Sequence, residues 1–258
     1  MRAWSTIGGY DRSMRDWKSG KGRFWEVDAA RGVAILMMVL YHFLYDLDTF
    51  GGYAIESTSG FWSLFADATA TLFLFLVGVS VVISASKSGG SGGNFGKFLW
   101  RGARIFGYGM ILTLVTWMLG MGLIVFGILH LIGVCIILAY PFLRHRFLSL
   151  ITGLAVIATG AWLMAQDFST QSPFLLPFGI PPEGLFMPDY RPLLPWFGVV
   201  LLGVFVGNIV YGAGKRPAER TPYIGRLLGV LGRWSLGIYL VHQPILVGVL
   251  SLLGVIEL

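Results

Sequence analysis

The chain has 258 residues, of which 55% are hydrophobic and only 12% are charged, and its net charge at pH 7 is +6. This composition excludes an ordinary soluble domain and is typical of a protein embedded in a membrane. A basic balance can indicate a nucleic-acid partner, but here the excess lies in short connections between apolar segments, where anionic lipid headgroups explain it, so no nucleic-acid partner is expected.

Seven apolar segments are each long enough to cross a hydrocarbon core of roughly 30 Å as a helix. In chain order they are 30–48, 60–84, 105–121, 123–142, 147–165, 193–211 and 234–254. We therefore predict an all-α membrane protein, a single polytopic bundle of about seven transmembrane helices formed by residues 24–258. Residues 1–23 are polar and lack the apolar core of a signal peptide, which predicts a disordered cytoplasmic tail.

Basic residues alternate between the two sides of this predicted bundle. Eighteen of the nineteen Lys and Arg residues fall before the first span, at its start or in the connections on the same side as it, and Arg191 is the exception. The positive-inside rule then predicts a cytoplasmic N-terminus and a C-terminus outside.

Three connecting segments carry structural signals of their own. Residues 88–94 are a Gly/Ser-rich flexible linker by composition. The Pro-rich connection 166–192 keeps large apolar residues, which favours a lid or re-entrant segment over the outer mouth of the bundle. Residues 223–233 predict an amphipathic helix on the inner surface.

Ionisable side chains at membrane depth are costly, and each is therefore a candidate functional residue. From the helical rise, His42 lies roughly 12 Å below the outer surface, and Asp67 and His130 lie about 10 Å below it. Asp46 follows one turn after His42, and Asp189 and Arg191 lie at the outer rim. We expect these groups from separate spans to form one polar layer.

Within this layer His42 is the strongest candidate for a general base. A carboxylate one helical turn away, here Asp46, would fix the imidazole tautomer and raise its basicity. For His130 and His242, a hydrogen bond to a neighbouring helix is the competing interpretation. Asp67 has the alternative of binding a backbone group.

A second group of candidates lies at the predicted cytoplasmic ends of the spans. Arg31 follows Asp28 by three residues, a spacing that also favours a local ion pair. Arg101 and Arg104 begin the third span, where basic residues commonly anchor a helix. Such a basic mouth would also bind the phosphates of a nucleotide-bearing donor.

Several segments resemble those of a known family. They are 23–36 (RFWEVDAARGVAIL) running into Tyr41-His42-Phe43, 66–68 (ADA) before 72–78 (LFLFLVG), 126–133 (FGILHLIG), 189–196 (DYRPLLPW) and 238–244 (IYLVHQP). In order and spacing they are similar to the prokaryotic branch of the heparan-alpha-glucosaminide N-acetyltransferase-like family, in the transmembrane acyltransferase superfamily.

The resemblance implies transfer of an acetyl or other acyl group from cytoplasmic acyl-CoA to an amine or hydroxyl of a sugar or glycoconjugate at the outer face of a prokaryotic plasma membrane. It matches His42 to the base that acts on the acceptor, with acetyl-CoA as donor and no metal. Beside it we expect catalytic roles for Asp46 or Asp67, which would orient His42, and for His130, which would hold the acceptor or the thioester carbonyl. Arg31, Arg101 and Arg104 would bind the donor. The acceptor would meet the remaining candidates, which are Asp189, Arg191, Trp196 and His242.

Two other functions remain open. A proton-coupled transporter or flippase would use the same intramembrane His and Asp groups as a proton relay. A scaffold subunit would need none of them. The small-residue pair Gly203 and Gly207 permits close helix packing and leaves a homodimer open.

Overall fold

The computed structural model describes residues 23–87, 94–118, 124–166, 168, 170, 172–184, 189–212 and 222–256. In these ranges the chain forms α1 (Trp25–Gly51), α2 (Gly60–Ser86), α3 (Phe95–Met118), α4 (Ile128–Leu138), α5 (Arg146–Ala165), α6 (Leu193–Tyr211), α7 (Tyr223–Arg233) and α8 (Ser235–Leu252). The predicted fold class, an all-helical membrane bundle, is confirmed. The predicted tail, apart from Arg23, and the Gly/Ser linker, apart from Asn94, lie outside the described residues.

Five of the described helices, α1, α2, α5, α6 and α8, are long and apolar enough to cross a membrane by length and composition. Helix α3 has 24 residues, but Lys97, Arg101 and Arg104 occupy its first half. Its charged half therefore lowers its hydropathy below that of the other long helices.

The predicted fourth span, 123–142, is shorter than expected. Helix α4 has only 11 residues, and a 3₁₀ segment with Pro141 in its first turn follows it at Tyr140–Arg144. Proline lacks the backbone N–H that would continue the α-helical hydrogen-bond pattern. At 1.5 Å per residue α4 covers about 16 Å, roughly half of a hydrocarbon core.

Glycines bring the helix backbones into close contact. A Cβ on Gly32 would lie 2.1 Å from the Leu228 carbonyl oxygen, and one on Gly232 would lie 1.8 Å from that of Asp28, so α1 and α7 pack backbone to backbone. The predicted helix 223–233 is confirmed as α7, and this packing positions the start of α1.

The pair Gly203 and Gly207 serves packing inside the chain. A Cβ on Gly203 would lie 2.1 Å from the Phe75 carbonyl oxygen of α2, and one on Gly207 would lie 3.1 Å from the Val82 side chain. The close approach that this pair permits is therefore made between α6 and α2. The main hydrophobic core lies beside it and includes Leu74, Val81, Phe98, Leu131, Ile136 and Val200.

The described part of the connection 166–192 is ordered against the bundle. Pro173–Phe178 forms a 3₁₀ helix whose Leu176 side chain is buried. The Tyr190 hydroxyl donates a hydrogen bond of 2.5 Å to the Leu176 carbonyl oxygen. Residues 167, 169, 171 and 185–188 of the predicted lid lie outside the described residues.

Candidate functional site

A cavity of about 540 Å³ lies among helices α1, α2, α3, α4 and α8. One part of it, here called the arginine end, is lined by Arg23, Arg31, Ser80, Arg101, Arg104 and Arg233. The other part, the histidine end, is lined by Tyr41, His42, Tyr45, Asp189, Arg191, Tyr239, His242 and Gln243. Arg31 and His42 are eleven residues apart on α1, which separates the two ends by about 16 Å.

At the arginine end, Arg31 is held from two sides. Its Nη1 donates a hydrogen bond of 2.9 Å to Asp28 Oδ1, and its Nη2 donates one of 2.8 Å to Ser80 Oγ. Arg23 also lies 3.5 Å from Asp28 Oδ2. The local pair predicted from spacing is therefore present, and it fixes a guanidinium that also lines the cavity.

Positive charge exceeds negative charge at this end. Arg101 is close enough to Arg31 and Arg104 for their charges to interact. Among the described residues that line the cavity, Asp189 is the one carboxylate, and it lies at the histidine end. An anionic group is the ligand that such an arginine cluster would bind.

At the histidine end, the rings of His42 and His242 meet edge to face with their centroids 4.8 Å apart. His42 Nδ1 lies 2.9 Å from the Met38 carbonyl oxygen, and His242 Nδ1 lies 2.6 Å from that of Tyr239. A carbonyl only accepts hydrogen bonds, so each Nδ1 carries the hydrogen. In the neutral rings both Nε2 atoms then keep a free lone pair, as a general base requires.

The structure does not join Asp46 to His42. Asp46 is fully buried, and its Oδ1 accepts a hydrogen bond of 2.6 Å from Gln243 Nε2 on α8. Asp46 is not among the residues that line the cavity. The Met38 carbonyl, one turn before His42, takes the orienting position that the sequence predicted for this carboxylate.

Asp189 connects α4 to α8. Its Oδ2 accepts hydrogen bonds from the Ile128 backbone N–H at 3.2 Å and from the Tyr239 hydroxyl at 3.3 Å. A Cβ at residue 127 would lie 2.7 Å from the same oxygen, so only glycine leaves room for it. Burial raises the pKa of Asp189 above the ordinary range, and its hydrogen bonds and nearby Arg191 oppose that shift.

Arg191 contacts two other residues that the sequence predicted for the site, Asp67 and Trp196. Its Nη1 forms an ion pair of 2.6 Å with Asp67 Oδ1 from α2, and its guanidinium carbon lies 4.8 Å from the centroid of the Trp196 ring. Arg191 lines the cavity, whereas Asp67 and Trp196 are not among its lining residues. These two side chains therefore fix the position of the arginine.

His130 is buried outside the cavity lining. Its Nδ1 accepts a hydrogen bond of 3.3 Å from the Gly127 N–H at the start of α4. Its ring lies between Phe106 and Phe126, with centroid distances of 5.0 and 6.1 Å. His130 Nε2 also lies 3.5 Å from Thr113 Oγ1 of α3. These contacts favour a structural role, in which His130 caps α4 and bonds to a neighbouring helix as the alternative interpretation expected.

Several polar side chains of the site carry no charge and were missed by reasoning from ionisable groups. They are Tyr41, Tyr45, Ser80, Tyr239 and Gln243. Tyr239 and Gln243 flank His242 in the segment 238–244, which is the signal that could have found them. No group of three or more metal-ligating side chains occurs among the residues that the structure describes.

Comparison with known proteins gives one family. The family described as heparan-alpha-glucosaminide N-acetyltransferase, catalytic, matches residues 23–244. Neither the curated proteins nor the solved structures contain a match. The matched range spans the arginine end, the histidine end and all eight helices except the last part of α8. The chain therefore belongs to the heparan-alpha-glucosaminide N-acetyltransferase catalytic family, a family of membrane acetyltransferases.

Proposed function

We propose that this protein transfers the acetyl group of acetyl-CoA, bound at the arginine end, to an amine or hydroxyl held at the histidine end. The observation that carries the proposal is the single cavity of about 540 Å³ with arginines at one end and two histidines at the other. A donor with phosphates and a long thioester arm would occupy both ends at once.

The arginine end suits the phosphates of CoA. Arg101 and Arg104 project from the first turns of α3, and no described carboxylate lies within ion-pair distance of them. Arg31 is preorganised by Asp28 and Ser80. A planar guanidinium can make paired hydrogen bonds to a phosphate, which favours arginine over lysine for this contact.

The length of the cavity matches the length of the proposed donor. The two ends are separated by about 16 Å along α1, a distance comparable with the pantetheine arm of CoA. With its phosphates at Arg101 and Arg104, the donor would present its thioester carbonyl near His42. Binding both substrates in one cavity supplies the proximity and orientation that accelerate a two-substrate reaction.

At the histidine end, His42 would act as the general base. The acceptor nitrogen or oxygen attacks the thioester carbonyl carbon, the new C–N or C–O bond forms, and the C–S bond breaks. The proton of the attacking group passes to His42 Nε2 and then to the departing thiolate, which leaves as CoA. General-base catalysis of this kind contributes typically about 10² to 10⁴ in rate.

The acceptor is proposed to be a sugar or glycoconjugate. Asp189, Arg191 and His242 line the histidine end and offer both donors and acceptors to hydroxyl groups, and Trp196 supports Arg191 from behind. We further propose a prokaryotic plasma membrane with the arginine end at the cytoplasm, because the basic connections follow the positive-inside rule.

The deciding experiment uses detergent-purified protein with acetyl-CoA and an aryl α-glucosaminide as acceptor. We expect acetylated glucosaminide and an equal amount of free CoA, and stabilisation of the protein by acetyl-CoA in a thermal unfolding assay. Absence of both product and stabilisation at millimolar acetyl-CoA would overturn the proposal and favour a transporter.

A further inference from the structure

Three buried acceptor atoms without a hydrogen-bond partner lie on neighbouring residues where α1 meets α8. They are Asp46 Oδ2, Gln243 Oε1 and His242 Nε2. Among the described residues, the one other such atom is Glu26 Oε2, twenty residues before Asp46 on the same helix. The first three atoms therefore form one local cluster beside the histidine end.

Their hydrogen-bond roles follow from the partners of the same side chains. Gln243 Nε2 donates its hydrogen bond to Asp46 Oδ1, so the Gln243 amide turns its NH₂ group towards the Asp46 carboxyl group and its oxygen away. His242 Nδ1 donates to the Tyr239 carbonyl, which leaves Nε2 as an acceptor. Gln243 Oε1 and His242 Nε2 therefore each need a donor.

Leaving such groups unpaired is costly. A buried acceptor without a donor costs about 1–3 kcal/mol, and three on adjacent side chains are unusual in a folded protein. Pro244 also lacks the backbone N–H that would otherwise bond to the Leu240 carbonyl oxygen in α8. A ligand with several O–H or N–H groups would satisfy this cluster.

The cluster is next to the proposed base. Gln243, His242 and Leu240 line the cavity, and the His242 ring touches that of His42. Asp46 lies behind them, fully buried, and acts through the amide that it holds. Gln243 and His242, which carry two of the three atoms, thus line the cavity beside the proposed base, where the attacking group of the second substrate would have to lie.

We propose that Gln243 and His242 form the subsite that holds the attacking group of the acceptor substrate against His42, and that Asp46 is a positioning residue that fixes the Gln243 amide. The inference rests on the proposed acetyl transfer and adds specific roles for Gln243 and Asp46. The ligand group that fits is an amino or hydroxyl group of a sugar, because carbonyl and ether oxygens offer no hydrogen to these acceptors.

The test compares the wild type with Gln243→Leu, Asp46→Asn and the control Asn208→Leu. The Asn208 amide bonds to the Val204 carbonyl of its own helix, away from the cavity. With acetyl-CoA and the aryl α-glucosaminide, Gln243→Leu is expected to raise the acceptor KM about tenfold or more. The KM of acetyl-CoA should stay within about twofold, which a general loss of structure would not produce.

Asp46→Asn keeps the shape of the side chain but can pair with either face of the Gln243 amide. We expect a smaller rise in acceptor KM, with the KM of acetyl-CoA again unchanged. If Gln243→Leu is not stable, the acceptor KM of Asp46→Asn tests the inference. An acceptor KM equal to that of the wild type in the stable variants would overturn the inference, because the cluster would then hold only water.

A binding measurement separates this inference from the proposed reaction. Thermal stabilisation by the glucosaminide alone requires no acetyl transfer. Stabilisation that is lost in Gln243→Leu, in a protein without transferase activity, would support the subsite and refute the reaction. If instead the wild type is active and the glucosaminide stabilises the wild type and Gln243→Leu equally, the result would support the reaction and refute the subsite.

Discussion

The Nδ1 atom of His42 is bound to the Met38 carbonyl, one helical turn earlier on α1, at 2.9 Å. The orientation of the ring is therefore set by the backbone of its own helix. The neutral imidazole must present Nε2 to the cavity, and no carboxylate is needed to select that tautomer.

His42→Ala is expected to lower acetyl transfer about 10²- to 10⁴-fold, because it removes the group that accepts the proton of the attacking atom. The measurement is kcat/KM for the acceptor at saturating acetyl-CoA. His145→Ala is the matched control, since His145 is exposed and follows the 3₁₀ segment Tyr140–Arg144. A His42→Ala enzyme with the activity of the control would contradict the assignment.

Replacing Arg101 and Arg104 together with Ala should weaken acetyl-CoA binding by about tenfold or more, since two charge-assisted contacts to phosphate are lost. The readout is the acetyl-CoA concentration that gives half-maximal thermal stabilisation. Arg226→Ala controls for the loss of a cation, because Arg226 is exposed on α7 and is not among the cavity-lining residues. Equal weakening in the control would mean that net charge, rather than a site, attracts the donor.

Gly32→Ala should destabilise the protein by about 1–3 kcal/mol, because its Cβ would lie 2.1 Å from the Leu228 carbonyl oxygen and force α7 away from α1. Thermal unfolding in detergent measures the change. Gly107→Ala on α3, where a Cβ meets nothing within 4 Å, should leave stability unchanged or slightly raised. A Gly32→Ala protein as stable as Gly107→Ala would show that the two helices can separate without cost.

The pH dependence of stability should change in Asp189→Asn. Burial raises the pKa of Asp189 in the folded protein, so the folded state binds a proton more tightly than the unfolded state. This contribution is full below the ordinary aspartate pKa of about 3.9 and is lost as the pH rises through the higher folded value.

The amide side chain of this variant has no such proton to lose, and its carbonyl oxygen can still accept from the Ile128 N–H. The unfolding temperature of the wild type minus that of the variant should therefore fall as the pH increases from about 4 to 7. A difference that grows over this range would show that the pKa of Asp189 is lowered by its partners instead.

Hydropathy and depth predicted the layout of the bundle and much of the site. Long apolar segments form helices in a membrane, and the cost of an ionisable group there singled out His42 and His242. Counting residues along a helix also predicted that Arg31 and His42 lie at different depths. Those inferences need only the helical rise and no knowledge of neighbours.

Partners across helices could not be predicted in this way. His42 and Asp46 share a helix face at i and i+4, but the carboxylate binds Gln243, which follows it by 197 residues. An uncharged amide is not an ionisable group, so Gln243 was not among the candidates that ionisable side chains at membrane depth provide. His130 illustrates a second limit, because a buried imidazole that caps a helix has the same sequence signal as a catalytic one.

Helix α4 has a consequence for the water content of the bundle. Because α4 starts only at Ile128, residues 124–127 of the predicted span 123–142 form irregular backbone before it. Peptide groups there are tolerated when they are enclosed by protein or line an aqueous space. Hydrogen–deuterium exchange should therefore be faster at residues 124–127 than at the middle of α2, as expected if water enters the bundle beside the start of α4 without an open pore.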